Sequence, residues 1–369
     1  MAGGPVCRRR AVSRSWQLRH FGGALEPVVE PPVDLPDQGV RLRVLASGVC
    51  HTDVHTWEGS YDLGSGRKLD LSARVRLPLT LGHEIAGTVV ACGDSADRRW
   101  LGRRAVVYPW IGCGACEACA AGRDPFCSKP RYLGIDAQGG FAEHVNVPHE
   151  RYLVPLDRLQ PEQAAPLACS GLTAWSALGK VAPLGPREPL LLIGAGGVGL
   201  AAMGQARARV QAPVTVADLH DDKLDAARAL GAAHTVRTAD HAAALQALQQ
   251  AAPTGFAAVI DFVGSPQTFE LAWSVLRKGG TLVVVGLFGG EARFPLPMLP
   301  ARSLTVRGSY VGSLQEMHAL VAAAERGAVA LPPLTPRPLA QAHACLCDLR
   351  AGRGIGRFVL LPGQEGGAR

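Results

Sequence analysis

The sequence predicts an α/β chain in two parts, a β-rich region followed by a doubly wound parallel sheet. Three observations carry that expectation. At 369 residues the chain exceeds one ordinary domain and suits two. From about residue 16 to 165 the apolar residues fall in short strand-like runs broken by Gly and Pro, as at 40–46, 86–91 and 104–108. From about 169 onward, strands alternate with helices, the pattern of βαβ units and a parallel sheet.

In that second part, Leu190–Ile193 reads as a short buried strand and 198–209 as a helix opened by glycines. Residues 214–217 read as a strand and 223–230 as a helix stopped by Gly231. A helix at 269–276 falls between strands at 259–262 and 281–285. After Tyr310 the pattern predicts one helix (314–326), a Pro-rich stretch (331–338) and a closing strand (356–361). This tail is too short to fold alone and should rejoin the first part. The expected division is therefore 1–168 completed by 310–369, with 169–309 inserted between them and the active site in the cleft.

Composition excludes several classes. Apolar residues make up 47% and charged residues 19%, enough for full cores. The net charge of +7 has no Lys/Arg block interleaved with aromatics behind it, so no nucleic-acid partner is expected. Arg8, Arg9, Arg10, Arg14 and Arg19 precede the first acid, Glu26. An Arg-rich, acid-poor start has the texture of a transit peptide, but a strand pattern begins by Trp16 and favours a short extension. The greasiest stretch, 189–203, is broken by glycines, so no membrane span is expected. No secretory signal is visible either, and the expected compartment is the cytoplasm. Of ten cysteines, four fall between 113 and 127, a clustering that points to metal thiolates rather than disulfides.

Residues 192–199 read Leu-Ile-Gly-Ala-Gly-Gly-Val-Gly, following a strand and opening a helix. That order fits a dinucleotide turn: Gly194 for the tight bend, Gly196 for close approach of a pyrophosphate, Gly199 for helix–strand packing. The free N–H groups of the helix start would face the phosphates. Asp218 ends the next strand, 19 residues after Gly199, where a carboxylate binds a ribose 2′-hydroxyl and repels the 2′-phosphate of NADP. Its alternative role is to cap the helix that starts near Asp221.

Cys113, Cys116, Cys119 and Cys127 lie on one loop with two-, two- and seven-residue gaps. Four thiolates close a tetrahedral site with no open position, the arrangement of structural zinc. Cys50, His83 and Cys169 are scattered, and each alone is an ordinary core residue. Together they would give zinc three protein ligands and leave a fourth position free.

The wording around these residues resembles the zinc-containing alcohol dehydrogenases of the medium-chain dehydrogenase/reductase superfamily. The likeness runs from about residue 16 to 362: GVCHTD at 48–53, LGHEIAG at 81–87, the four-cysteine loop, LACSGLTAW at 167–175, the glycine turn, DFVG at 261–264 and GRFVL at 356–360. It implies a GroES-like catalytic domain and a Rossmann cofactor domain, two zinc ions, NAD, and a homodimer or homotetramer acting on a small-molecule alcohol, aldehyde or ketone. By the resemblance, Cys50, His83 and Cys169 hold the catalytic zinc, and Asp53 and Glu84 orient or tune it. Thr52 accepts the alcohol proton and His55 passes it on. His51 and Arg357 contact the pyrophosphate, alongside Gly197, and Lys223 the adenosine ribose. Thr173, Val198, Val285 and Gly286 lie near the nicotinamide.

A zinc ion lowers the pKa of a bound hydroxyl but accepts no electrons, so the two constellations need each other. A polyol or amino-alcohol dehydrogenase of the same branch is the near alternative. A zinc-braced, nucleotide-sensing binding protein is the distant one, with no use for the open site. One departure is a polar, basic insertion at 64–76. The aromatics Trp57, Tyr61, Tyr108 and Trp110 flank the ligand segments, and on that ground are expected to wall a pocket for a neutral alcohol with an apolar or aromatic body.

Overall fold

The computed structural model describes residues 12–31 and 33–363, so Arg8, Arg9 and Arg10 lie outside the described residues. Two sheets organise the chain. The first has seven strands, centred on Val40–Gly48, in which Val40, Leu42, Val44 and Ala46 are buried. This strand pairs antiparallel with Glu84–Cys92 on one side and with Arg357–Leu361 on the other. The register sets Gly48 opposite both Glu84 and Val359. Cys50 therefore emerges just past one strand end, His83 sits just before the start of the next strand, and Arg357 opens the third. Three distant segments converge at one end of the sheet because of that register.

The tail returns to this sheet, as the sequence implies, but it holds more structure than expected. The Pro-rich stretch forms an edge strand, Leu334–Pro338, parallel to Arg357–Leu361. Proline has no N–H to give a second neighbour, so an edge is where such a strand can sit. The tail also contains a second helix, Ala342–Arg350, missed because its cap residue Gln341 makes no side-chain cap bond. Its buried face, Ala342, Cys345 and Leu346, packs in a core with Trp57 and Phe358.

The second sheet is six-stranded and fully parallel. Its spatial order is His234–Arg237, Val214–Asp218, Leu190–Ile193, Phe256–Asp261, Leu276–Val284, Thr305–Gly308. Leu190 and Leu192 enter one hydrophobic core and Leu191 and Ile193 another, so both faces are covered and the sheet is doubly wound. Strand order reverses between Leu190–Ile193 and Phe256–Asp261, which opens a crevice at their carboxyl ends. The helix Ser170–Gly179 bridges the two halves: Leu172 and Trp175 pack with the first core, Ala174, Ala177 and Leu178 with the second.

Candidate active site

Cys50 stands at the N-terminus of the helix His51–Glu58, whose first turn carries Thr52 and Asp53. The buried Asp53 carboxylate accepts the Cys50 N–H at 2.8 Å and the Gly82 N–H at 3.1 Å, and faces His83 Nδ1 at 3.0 Å. That contact turns His83 Nε2 toward the sulfurs, and Nε2 is buried with no hydrogen-bond partner among the described residues. Leaving such a nitrogen unsatisfied costs about 1–3 kcal/mol, unless a cation takes it. Cys50 Sγ and Cys169 Sγ are 3.9 Å apart, and all three ligand atoms lie within 4.8 Å of one another. Two zinc–sulfur bonds of about 2.3 Å at a tetrahedral angle separate their sulfurs by about 3.8 Å. The residues fit a zinc ion with three protein ligands and one open position.

A hydrogen bond links the two sulfurs. The hydrogen bond from Cys169 holds the Cys50 thiol well below its ordinary range, and the same bond, with burial, pushes Cys169 up. Cys169 is itself held from two sides. Trp110 Nε1 donates to the Ala168 carbonyl at 3.1 Å, and Glu84 Oε1 accepts the Ser170 N–H at 3.0 Å. Burial raises the Glu84 pKa, against the pull of Arg357, whose Nε donates to Oε2 at 2.9 Å and whose Nη2 donates to Oε1. Glu84 thus sits behind the metal site, bracing the Cys169 loop and a buried guanidinium.

The second cluster joins Cys113, Cys116, Cys119 and Cys127, again within 4.8 Å. Cys116 Sγ lies 3.5 Å from Cys119 Sγ and 3.8 Å from Cys127 Sγ. The backbone N–H groups of Cys113 and Lys129 point at Cys127 Sγ from 3.2 and 3.3 Å. The Cys113 thiol is drawn down to about 6 by the backbone N–H groups of Ala115 and Cys116. Four sulfurs in a closed set, with backbone N–H groups aimed at them, fit a structural zinc ion.

Around the glycine turn, Gly194 has φ +94°, and a Cβ at Gly199 would lie 1.7 Å from the Gly194 carbonyl oxygen. Only glycine satisfies either position. A Cβ at Gly196 would meet nothing within 4 Å, which leaves the room a pyrophosphate needs. A cleft is lined by Gly196, Gly197, His51, Lys223 and Arg357, so five of the expected cofactor contacts meet in one place. Asp218 Oδ2 accepts the Ala195 N–H at 2.6 Å and Oδ1 the His220 N–H at 3.0 Å, tying strand end to glycine turn rather than only capping a helix. Lys223 reaches the Gly352 carbonyl at 3.3 Å. Arg357 departs from a simple pyrophosphate contact: it is 3% exposed and committed to Glu84, with Nη1 2.7 Å from where a Gly197 Cβ would stand. Thr173 is buried in the helix after Cys169, its N–H on the Cys169 carbonyl at 2.8 Å, and Val198 is half-buried in the helix Gly197–Arg209. Val285 and Gly286 follow the strand Leu276–Val284 at its carboxyl end.

Comparison with known proteins agrees with this geometry. Residues 36–158 match the family described as alcohol dehydrogenase GroES-like domain, and 197–326 match zinc-binding dehydrogenase. A protein from Sulfurisphaera tokodaii named NAD-dependent alcohol dehydrogenase is 36% identical over 95% of this chain and 100% of its own length. The chain belongs to the zinc-binding alcohol dehydrogenase family. Among solved structures, the alcohol dehydrogenase of the archaeon Aeropyrum pernix superposes with a TM-score of 0.83 at 30% identity, covering 95% of this chain and 100% of that one. The acetophenone reductase of Geotrichum candidum, solved with NAD, gives 0.81 at 25% identity, over 95% and 97%.

The four aromatics expected to wall the substrate pocket divide. Trp57 is core: its Nε1 donates to the Gly23 carbonyl at 2.6 Å and its ring meets His343 edge-on. Tyr108 is core as well, fully buried with its hydroxyl on the Gly312 carbonyl at 2.9 Å. Trp110 does reach the site, 5.4 Å ring to ring from His83. Tyr61 packs over His55 at 4.6 Å, and burial together with the Cys50 charge pushes its phenol up to about 12, a neutral donor. Tyr132 and Tyr310, which the sequence did not single out, stand edge-on to Trp110 at 5.3 and 5.8 Å. Arg74 of the insertion lies over Tyr132 and pairs with Asp136 at 2.6 Å. The start of the insertion closes a hairpin, Ser60–Gly64 with Arg67–Asp70, and Arg67 reaches Glu291 of the other half at 3.0 Å.

Proposed function

We propose that the chain oxidises a neutral alcohol with an apolar or aromatic body to its aldehyde or ketone, reversibly, with NAD as hydride acceptor. The observation that carries this reading is the open, buried Cys50, His83, Cys169 cluster with a His83 Nε2 unpartnered among the described residues, while Val49 and His51, on either side of Cys50, line the cleft that holds Gly196 and Gly197. When bound there, zinc supplies the Lewis acidity that makes the alcohol a stronger acid, and the nicotinamide supplies the electron sink.

The chain's own residues do the remaining work. Thr52, half-buried on the first turn of its helix, takes the alcohol proton, and His55 one turn later passes it outward. Burial lowers the His55 pKa, which keeps the ring a free base near neutral pH. Asp53 holds the His83 tautomer, and Glu84 holds the Cys169 loop. Asp218 and Lys223 take the adenosine ribose, the glycine turn takes the pyrophosphate with His51 and with the one Arg357 nitrogen, Nη1, that faces Gly197 rather than Glu84, and Thr173, Val198, Val285 and Gly286 enclose the nicotinamide. Trp110 and the ring faces of Tyr132, Tyr310 and Tyr61 favour a carbon body, and a substrate hydroxyl set against those faces rather than a phenol would cost about 1–3 kcal/mol if left unpaired.

We assign residues 1–168 with 310–369 to catalysis and 169–309 to the cofactor. A homodimer or homotetramer is supported by the exposed outer strand Thr305–Gly308, beside which Leu296, Met298 and Val306 are exposed. All nine described cysteines are free, which favours the cytoplasm, and no helix among the described residues is long and apolar enough to cross a membrane. The test follows NADH absorbance with benzyl alcohol, medium-length alkanols and sorbitol, using NAD and then NADP. Benzyl alcohol with NAD should give the highest kcat/KM, and Asp218→Gly should narrow the NAD preference. A win for sorbitol would move the reading to the polyol branch, and equal use of NADP would remove the role of Asp218.

A further inference from the structure

Asp261 ends the strand Phe256–Asp261, opposite Ile193, and so stands fully buried at the crevice where strand order reverses. Its Oδ1 accepts the N–H groups of Val263 and Gly264 at 2.9 and 3.0 Å, and its Oδ2 accepts the Thr268 hydroxyl at 2.8 Å. Its backbone carbonyl accepts the N–H groups of Val285 and Gly286 at 2.8 and 3.1 Å. The two segments so held interlock: a Cβ on Gly264 would lie 2.1 Å from the Gly286 oxygen, and one on Gly286 would lie 2.0 Å from the Val263 carbonyl carbon. Val263 in turn covers the glycine turn, its Cγ2 2.8 Å from where a Gly194 Cβ would stand.

Burial raises the Asp261 pKa while the hydrogen bonds from Gly264, Thr268 and Val263 pull it back. A helix cap alone does not explain a buried carboxylate here, because Ser265 already caps the helix Pro266–Val275 through the Thr268 N–H. The carboxylate fixes the 263–264 loop, and the main-chain carbonyl of the same residue fixes the 285–286 loop against it.

We propose that Asp261 is a positioning residue for the nicotinamide half of the dinucleotide, its carboxylate setting the 263–264 loop and, through the interlock, the 285–286 loop that would face the ring. This rests on the reading that Val285 and Gly286 lie beside the nicotinamide. The test titrates the zinc-loaded protein with NADH and, separately, with ADP-ribose, which lacks the nicotinamide. For Asp261→Asn, NADH should bind about tenfold more weakly and ADP-ribose within about twofold of the unsubstituted protein. The primary deuterium isotope effect on kcat should rise as hydride transfer becomes slower. Thr268→Val, which keeps the carboxylate and removes one bond, should shift NADH alone by about two- to threefold. Equal weakening of NADH and ADP-ribose in both variants, or no change in either, would overturn the proposal. If the unsubstituted protein binds ADP-ribose but not NADH, the cofactor reading of Val285 and Gly286 fails instead.

Discussion

The four-cysteine loop draws its ligands from positions 113 to 127, two of them only half-buried, whereas Cys50 and Cys169 meet across 119 residues and are buried with His83. The loop presents four sulfurs and backbone N–H groups; its one buried carboxylate, Asp124, accepts the Gly112 N–H at 3.4 Å and bonds to none of the four ligand residues through its side chain. The other cluster has three donors, and each of its three segments is steered by a group behind it: Asp53 on His83 and Cys50, Glu84 and Trp110 on the Cys169 loop. A site that closes on its metal needs only local spacing. A site that must stay open for a substrate has one ligand fewer, so the surrounding fold has to supply the rigidity that the fourth ligand would have given.

The largest effect that tests this contrast is His83→Ala. It should abolish turnover and lower the zinc content of pure protein from two ions to one per chain, with NADH binding retained. Loss of both ions would show that the two sites are not independent. Cys113→Ser comes next and should act on the other axis. The zinc content again falls by one, but the loss is in folding: Tm should drop on the order of 10 °C, since 1 kcal/mol shifts a domain of this size by about 2–4 °C. The activity of protein still folded at low temperature should remain near normal.

The same contrast governs what could be read from the chain. The four-cysteine loop is legible by spacing alone, and the glycine turn by its place between a strand and a helix with Asp218 ending the next strand, because each is a local pattern. Cys50, His83 and Cys169 are not, and only the wording around them brought them together. Glu84 and Arg357 lie 273 positions apart, and nothing local announces that they pair. Trp57 misleads for a geometric reason. On the helix His51–Glu58 it lies two residues from His55, and residues two apart point to nearly opposite faces. The edge strand Leu334–Pro338 was hidden by its prolines, and the wall formed by Tyr132 and Tyr310 by a separation of 178 positions.

A smaller effect separates proton transfer from metal binding within the open site. His55→Ala should leave both zinc ions in place and slow alcohol oxidation by ~10²-fold or less. Because burial lowers the His55 pKa, the relay stays open at neutral pH and closes only as acid protonates the ring. The deficit of the variant should therefore be largest toward the acid side of neutrality, down to that pKa, and shrink as pH rises and hydroxide takes over. A deficit independent of pH would remove His55 from the proton path.

Asp53→Asn is the subtlest test, because it changes neither a ligand nor the shape of the side chain. In the structure one carboxylate receives the Cys50 and Gly82 N–H groups and faces His83 Nδ1. With His83 Nε2 committed to metal, Nδ1 carries the hydrogen and also needs an acceptor. An asparagine has a single acceptor oxygen, so its NH₂ must confront either the Cys50 N–H or the His83 Nδ1–H. Either choice loosens the imidazole or the Cys50 turn, and the lost charge makes His83 a weaker donor to zinc. Loss of such an orienting group weakens metal binding by about 10–100-fold. Under a chelator, the variant should lose one zinc ion early and the second at the unsubstituted rate, since Asp53 bonds to Cys50, Gly82 and His83 and to no residue of the four-cysteine loop. Added zinc should then restore much of kcat, which a damaged fold would not allow. Parallel loss of both ions, or no rescue, would mean that Asp53 supports the whole domain and that the rigidity of the open site comes from elsewhere.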